Sequence, residues 1–177
     1  MPAPPIPAAR VANLLVNGHA SPVAVEPRQT LLDVLRRQLG LSGTKEVCEM
    51  GNCGACTVLL DGDAVYACLL LAVECEGHAV ETIEGLAPGE HLSPVQQAFV
   101  DDDALQCGFC TPGQILSVEA LLRRDAAPSD EAIVEAVAGN LCRCGAYRHI
   151  LDAARRAASA DATMRAASAA DGTGSGS

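Results

Sequence analysis

The spacing of apolar residues changes character near the middle of the chain. In the first half, short apolar runs bounded by turn signals predict strands over residues 11–16, 22–26, 57–60, 64–71 and 77–83. One helical pattern interrupts them, because Thr30 can cap a helix over residues 31–39 that Gly40 then ends. Strands mixed with a single helix predict an α+β unit, with a small sheet curled over the helix in the β-grasp arrangement.

The second half is patterned for helices alone. Ser93 before Pro94, and Thr111 before Pro112, are typical helix starts, because the hydroxyl caps the helix and proline fits its first turn. After the helix that begins at Ser93, further helices are predicted over residues 114–124, 130–138 and 148–158. Four helices joined by short loops predict a four-helix bundle.

These patterns divide the chain into five segments. They are a disordered arm, a sheet domain, a linker, a helical domain and a disordered tail, at residues 1–10, 11–85, 86–92, 93–159 and 160–177. The arm is rich in proline and the tail is mostly alanine, serine and glycine. Neither segment has enough apolar surface to offset the entropy cost of ordering it.

Composition and charge exclude some classes of function. Among the 177 residues, 49% are hydrophobic but only 2% are aromatic, so the core must be aliphatic. The net charge of −10 argues against nucleic-acid binding, which needs basic surfaces. There is no run of eighteen apolar residues to span a membrane. The start of the chain shows neither a signal peptide nor a twin-arginine motif, so we expect a cytoplasmic protein.

Nine cysteines carry the candidate chemistry, and they fall into two sets. In the first set, four residues separate Cys48 from Cys53 and two separate Cys53 from Cys56, which is the plant-type spacing for a 2Fe–2S cluster. Glycines between these cysteines let the loop curl so that its N–H groups face the sulfurs. Spacing alone leaves Cys68 and Cys75 open as the fourth ligand, although Cys75 also fits a small buried residue on a strand.

The second set contains Cys107, Cys110, Cys142 and Cys144, and each of its pairs lies at a predicted helix boundary. Helix N-termini offer free N–H groups that suit an anionic thiolate cluster. Taken alone, this set also fits a tetrahedral zinc site. Disulfides are a further alternative for the cysteines, but they form in secreted proteins and no secretory signal is present.

Three stretches together resemble one known family: E-M-G-N-C-G-A-C-T, Q-C-G-F-C-T-P-G-Q and G-N-L-C-R-C-G-A-Y. They resemble the small iron–sulfur subunit of the molybdenum hydroxylases, the xanthine dehydrogenase and aldehyde oxidoreductase family. The resemblance implies a plant-type ferredoxin-like β-grasp domain and a four-helix bundle, each holding one 2Fe–2S cluster. It assigns the first cluster to Cys48, Cys53, Cys56 and Cys68, and the second to Cys107, Cys110, Cys142 and Cys144. It also implies that Gln106 and Cys144 approach the pterin of a molybdenum cofactor.

The resemblance further implies the function of an electron-transfer subunit. A large partner subunit would hold the molybdenum–pterin cofactor and a medium subunit would hold FAD, in a heterotrimer. Electrons would pass one at a time from molybdenum through the two clusters to the flavin, during oxidation of an aldehyde or an N-heterocycle. The sequence Gly145-Ala146-Tyr147, where many members have T-G-Y, tilts the substrate slightly towards aldehydes. The alternatives are a free soluble ferredoxin-type carrier and a zinc-stapled interaction module.

Overall fold

The computed structural model of the chain describes residues 9–87, 89 and 91–171. Residues 1–8 of the predicted arm, Pro88 and Glu90 of the predicted linker, and residues 172–177 of the predicted tail lie outside the described residues. Of the helices that the structure describes, none is both long and apolar enough to cross a lipid bilayer.

The first half forms a five-stranded mixed sheet. Its strands are β1 Arg10–Val16, β2 His19–Val25, β3 Thr57–Leu60, β4 Asp63–Tyr66 and β5 Ala79–Glu81. The strand order is β2-β1-β5-β3-β4, with β1 and β5 parallel and the other neighbours antiparallel. The predicted turn between β1 and β2 is present, because Asn17 and Gly18 both adopt positive φ as a two-residue hairpin requires.

One short helix packs against this sheet. Helix α1 spans Leu31–Asp33 and continues as a π-helical turn over Val34–Gln38. Thr30 caps it as predicted, and its hydroxyl accepts a hydrogen bond from the Asp33 amide at 3.1 Å. The first core contains the inward side chains of the strands and this helix, among them Leu14, Leu31, Leu35 and Val58. The predicted mixed sheet with one helix, and hence the α+β class, is confirmed.

Four helices pack around a second core. They are α2 Pro94–Asp101, α3 Thr111–Arg124, α4 Asp130–Ala138 and α5 Tyr147–Asp171. The hydroxyls of Ser93 and Ser129 cap α2 and α4 as predicted. Apolar residues of all four helices meet in this core, including Phe99, Leu121, Ile133 and Ile150. Helix α3 also lies against the sheet domain, where the Arg123 guanidinium contacts Glu81 of β5 at 2.6 Å.

Some predicted boundaries differ from the structure. The strand expected over residues 64–71 ends at Tyr66, because the Leu69 amide bonds back to the Tyr66 carbonyl at 3.0 Å and turns the chain. Cys68 therefore lies in a turn. Cys75 is buried as expected, but it ends a 3₁₀ helix over Ala72–Cys75 rather than lying on a strand. Helix α3 begins at Thr111, about one turn before the start predicted at residue 114.

Both ends of the described part of the chain are more regular than predicted. Strand β1 begins at Arg10, whose guanidinium contacts the Glu76 carboxylate at 2.8 Å, so this residue does not belong to a disordered arm. The last helix extends to Asp171, past the end predicted near residue 158 and into the segment predicted to be disordered from residue 160. The reason is compositional, since this segment is rich in alanine, the strongest helix former.

Candidate metal centres

The cysteines of the first set surround one loop at the edge of the sheet domain. Cys48 and Cys53 belong to the loop between α1 and β3, Cys56 directly precedes β3, and Cys68 follows β4. Their thiols form two contacting pairs, Cys48 with Cys53 and Cys56 with Cys68. The first pair is partly exposed and the second is buried.

Main-chain N–H groups of the loop point at these sulfurs. The Met50 N–H donates to the Cys48 thiol and is the main reason why the pKa of Cys48 falls to about 7. Burial acts in the opposite direction on Cys56, whose pKa rises to about 12. Amides directed at sulfur stabilise the thiolate, which is the form that binds metal. They outweigh burial at Cys48 but not at Cys53 or Cys56, where burial raises the pKa.

The second set is arranged in the same two-pair manner between helices. Cys110 directly precedes α3, and Cys142 and Cys144 lie in the loop between α4 and α5. Cys110 pairs with Cys142 inside the protein, and Cys107 pairs with Cys144 at the surface. The Phe109 N–H lowers the pKa of Cys107, whereas burial raises the pKa of Cys110 to about 12.

Each set fits a binuclear iron–sulfur cluster, in which four cysteines hold two irons. All nine cysteines are free thiols, so no disulfide competes for these sulfurs. Two neighbouring thiol pairs could supply two ligands for each iron of such a cluster. Within the described part of the chain, no three His, Cys, Asp or Glu side chains converge as a site for a single metal ion would require.

Two other residues were singled out from the sequence. Cys75 lies apart from the thiol pairs, and Gln106 lies next to one of them. Cys75 is 1% exposed, and burial raises its pKa to about 11. Its thiol donates to the Leu71 carbonyl at 3.6 Å rather than contacting the first set. Gln106 is exposed beside Cys107 and at the surface where Cys107 and Cys144 are also exposed.

The two cysteine loops touch each other directly. The N–H of Leu141, the residue before Cys142, donates to the Cys53 carbonyl at 2.9 Å. A single hydrogen bond therefore joins the backbone of a cysteine in the first set to the residue next to a cysteine in the second. At the edge of this junction, the Tyr66 hydroxyl donates to the Gly139 carbonyl at 2.9 Å.

Glycines allow the backbones to approach so closely. Gly54 has φ +69°, and a Cβ placed on it would lie 2.8 Å from the Asn140 amide nitrogen and would also collide with the Gly139 carbonyl. A Cβ on Gly113 of α3 would lie 2.5 Å from the Gly54 carbonyl. From the sequence, glycines were expected only as bends in a cluster loop, and this contact was not predicted. The signal was present, because each of these glycines lies in one of the three family stretches.

Two family models match the chain. The model described as 2Fe-2S iron-sulfur cluster binding domain matches residues 14–84, and the one described as 2Fe-2S binding domain matches residues 82–155. Between them they contain all eight paired cysteines.

Individual relatives match over most of their own length. The chain is 48% identical over 150 residues to the nicotine 6-hydroxylase small subunit of Paenarthrobacter nicotinovorans, covering 84% of this chain and 90% of that subunit. It is 45% identical over 171 residues to the aldehyde oxidoreductase iron-sulfur-binding subunit PaoA of Escherichia coli K12, covering 88% and 75%. A chain in the crystal structure of quinoline 2-oxidoreductase from Pseudomonas putida 86 superposes with a TM-score of 0.83 and 43% identity, covering 88% of this chain and 97% of that chain.

Two 2Fe–2S-binding domains in one chain, each with four paired thiols, define an iron–sulfur electron-transfer protein. The chain belongs to the family of small iron–sulfur subunits of the molybdenum hydroxylases. The resemblance drawn from the three sequence stretches is thereby confirmed, and so is the electron-transfer role that it implied.

Proposed function

We propose that this chain carries electrons, through two 2Fe–2S clusters, between a molybdenum–pterin site on a large partner subunit and FAD on a medium subunit. Its sheet domain, residues 11–85, is the plant-type ferredoxin-like β-grasp unit, and residues 93–159 form the four-helix bundle. The strand order of the sheet and the shared core of α2 to α5 support these assignments. When bound, the clusters would supply one-electron carriers that link two-electron chemistry at molybdenum to the flavin.

The proposed ligands are the eight paired cysteines. Cys48, Cys53, Cys56 and Cys68 would hold the first cluster, and Cys107, Cys110, Cys142 and Cys144 the second. The thiol contacts within each set support this division, and the separate position of Cys75 supports its exclusion. The protein contributes two buried sulfurs to each set, and its main-chain N–H groups donate to buried and less buried sulfurs alike, which would tune the potential of a bound cluster.

The observation that carries the proposal is the bond from the Leu141 N–H to the Cys53 carbonyl. It brings the two ligand loops into direct contact through a backbone donor and a backbone acceptor. Electron tunnelling weakens steeply with distance, so a relay needs such contact between its carriers.

Exposed apolar residues beside the cysteines suit partner surfaces. Phe109 and Leu141, beside the second set, are 54% and 57% exposed, and Met50, beside the first, is 65% exposed. Apolar side chains exposed around a redox centre favour a permanent subunit contact. We propose that the surface with Gln106 and Cys144 faces the large subunit and its pterin, and that the surface with Met50 faces the flavin subunit.

The substrate is proposed as an aldehyde or an N-heterocycle. The relatives act on both kinds of compound, since one is named for nicotine, one for aldehydes and one for quinoline. The variant Gly145-Ala146-Tyr147 favours aldehydes only slightly. A cytoplasmic setting is proposed, in which reductants would keep the one thiol not assigned to iron, Cys75, unpaired.

Rapid mixing of the assembled enzyme with substrate tests the relay. A panel of aromatic aldehydes and N-heterocycles such as quinoline is added without acceptor, and the visible absorbance of the clusters is followed. An active substrate should bleach both clusters in the native enzyme. Cys107→Ser should prevent bleaching of the first cluster while that cluster stays bound. Full bleaching in this variant would contradict a series relay. A chain that does not co-purify with a molybdenum subunit in a stable complex would instead be a free carrier.

A further inference from the structure

We propose that Asn140 is a positioning residue for electron transfer, because its buried side chain fixes the separation of the two cysteine loops. This inference rests on the proposed relay and adds a residue that acts on the distance between the carriers. Asn140 binds neither iron nor substrate. It acts through the two loops that it joins.

All polar atoms of the Asn140 side chain are used within the protein. The residue is 2% exposed. Its amide nitrogen donates to the Gly54 carbonyl at 2.8 Å and to the Thr57 hydroxyl at 3.1 Å, and its amide oxygen accepts from the Ser117 hydroxyl at 2.9 Å. Because a carbonyl can only accept a hydrogen bond, the contact with Gly54 fixes which end of the amide faces the first loop.

The partners of Asn140 are neighbours of the candidate ligands. Gly54 directly follows Cys53, and Thr57 directly follows Cys56, while Asn140 itself lies two residues before Cys142. One side chain from the second loop thus contacts the first loop at Gly54 and the start of β3 at Thr57. Helix α3 also holds the Asn140 backbone, because the Gln114 side-chain amide donates to the Asn140 main-chain carbonyl at 2.8 Å.

A role limited to packing would not require this chemistry. A buried amide is costly unless every donor and acceptor is satisfied, whereas an apolar side chain of similar size fills space without that condition. A fully satisfied buried network instead specifies one arrangement of the groups that it connects. Here those groups are the backbones of the two loops, and their arrangement sets the gap that an electron crosses.

The chain offers a matched control in Arg123. Its guanidinium also joins the two domains, through Glu81 at 2.6 and 3.0 Å, but it lies on the surface and away from the cysteine loops. Arg123→Ala therefore removes an interdomain contact without touching the junction. Ser117→Ala gives a milder change than Asn140→Ala, because it removes one bond that orients the amide and leaves its two bonds to the first loop.

The test uses the full chain in the assembled enzyme and has three readouts. Iron and inorganic sulfide per chain report cluster content. Low-temperature EPR of the dithionite-reduced enzyme reports the magnetic interaction between the two reduced clusters. Stopped-flow reoxidation of the substrate-bleached clusters by an electron acceptor reports transfer along the chain. These readouts separate the distance between the clusters from their presence.

We expect Asn140→Ala to retain iron, to lose the splitting that arises from the cluster–cluster interaction, and to slow reoxidation of the second cluster severalfold. Ser117→Ala should change both properties in the same direction by less, and Arg123→Ala should match the native enzyme. If Asn140→Ala does not retain iron, the EPR splitting and the reoxidation rate of Ser117→Ala test the inference in its place.

Native splitting and native reoxidation in both junction variants would overturn the inference, and so would equal effects of Arg123→Ala. Loss of iron from both junction variants would also overturn it, since Asn140 would then serve cluster binding rather than spacing. A native chain that lacks two cluster signals would instead refute the proposed function, so the two failures are distinguishable.

Discussion

Replacing Gly54 by alanine should destabilise the contact between the two domains. The residue has φ +69°, and a methyl group there would meet Asn140 atoms at 2.8 and 2.9 Å, as well as the Gly139 carbonyl. The left-handed conformation alone costs a residue with a Cβ about 1–2 kcal/mol. The collision with backbone that cannot move away costs about 1–3 kcal/mol more, as overpacking of a well-packed interior does.

Gly40 provides the control for this prediction. It has nearly the same φ of +71°, but a Cβ there would meet nothing within 4 Å. Gly40→Ala therefore carries the conformational cost without the collision. The difference in the free energy of unfolding between the two variants, about 1–3 kcal/mol, isolates the contact between the loops.

Thermal unfolding of the iron-loaded chain, followed by circular dichroism, measures both variants. For a chain of this length, each kcal/mol lowers Tm by about 2–4 °C, so Gly54→Ala should melt well below Gly40→Ala. Equal melting temperatures would refute the reasoning, because they would show that the loops do not touch as closely as the structure places them.

The remaining predictions concern the individual cysteines and Gln106. Cys53→Ser should reduce iron from about four to about two per chain, whereas Cys75→Ser should leave the iron content unchanged. The reverse result in an iron assay would contradict the ligand assignment. Freshly demetallated chain at pH 7 should be alkylated at Cys48 far faster than at Cys75, because a pKa of about 7 leaves much thiolate and one of about 11 leaves almost none. The rate at Cys48 should level off above pH 7 while that at Cys75 keeps rising, and similar rates in peptide mass mapping would count against the amide-lined loop. Gln106→Ala in the assembled enzyme should slow bleaching of the clusters by substrate with iron content unchanged, and an unaltered rate would reject its contact with the pterin.

Local signals were enough to predict most of the elements. Asn17-Gly18 specified a hairpin because both residues tolerate positive φ, and Ser129 marked the start of α4 because its hydroxyl fits the free amide of Ala132. The spacing of Cys48, Cys53 and Cys56 indicated a cluster loop for a similarly local reason, since three ligands must come from one tight turn.

Features that depend on distant parts of the chain were not predictable in this way. The strand at residues 64–71 reads as continuous, but it ends at Tyr66, where the chain turns towards the cysteine loop. The contact between Gly54 and Asn140 joins residues 86 positions apart, and no periodicity in either segment reports it. The extension of the last helix beyond residue 158 was not predicted, because a segment of alanine, serine and glycine resembles a disordered tail in composition, although alanine favours a helix.

Metal analysis combined with EPR of the dithionite-reduced enzyme tests the central claim most directly. The account predicts about four irons and four inorganic sulfides per chain, with two distinguishable 2Fe–2S signals that interact with each other. Stoichiometric zinc with no iron, or a single signal from a chain with all eight paired cysteines intact, would contradict it.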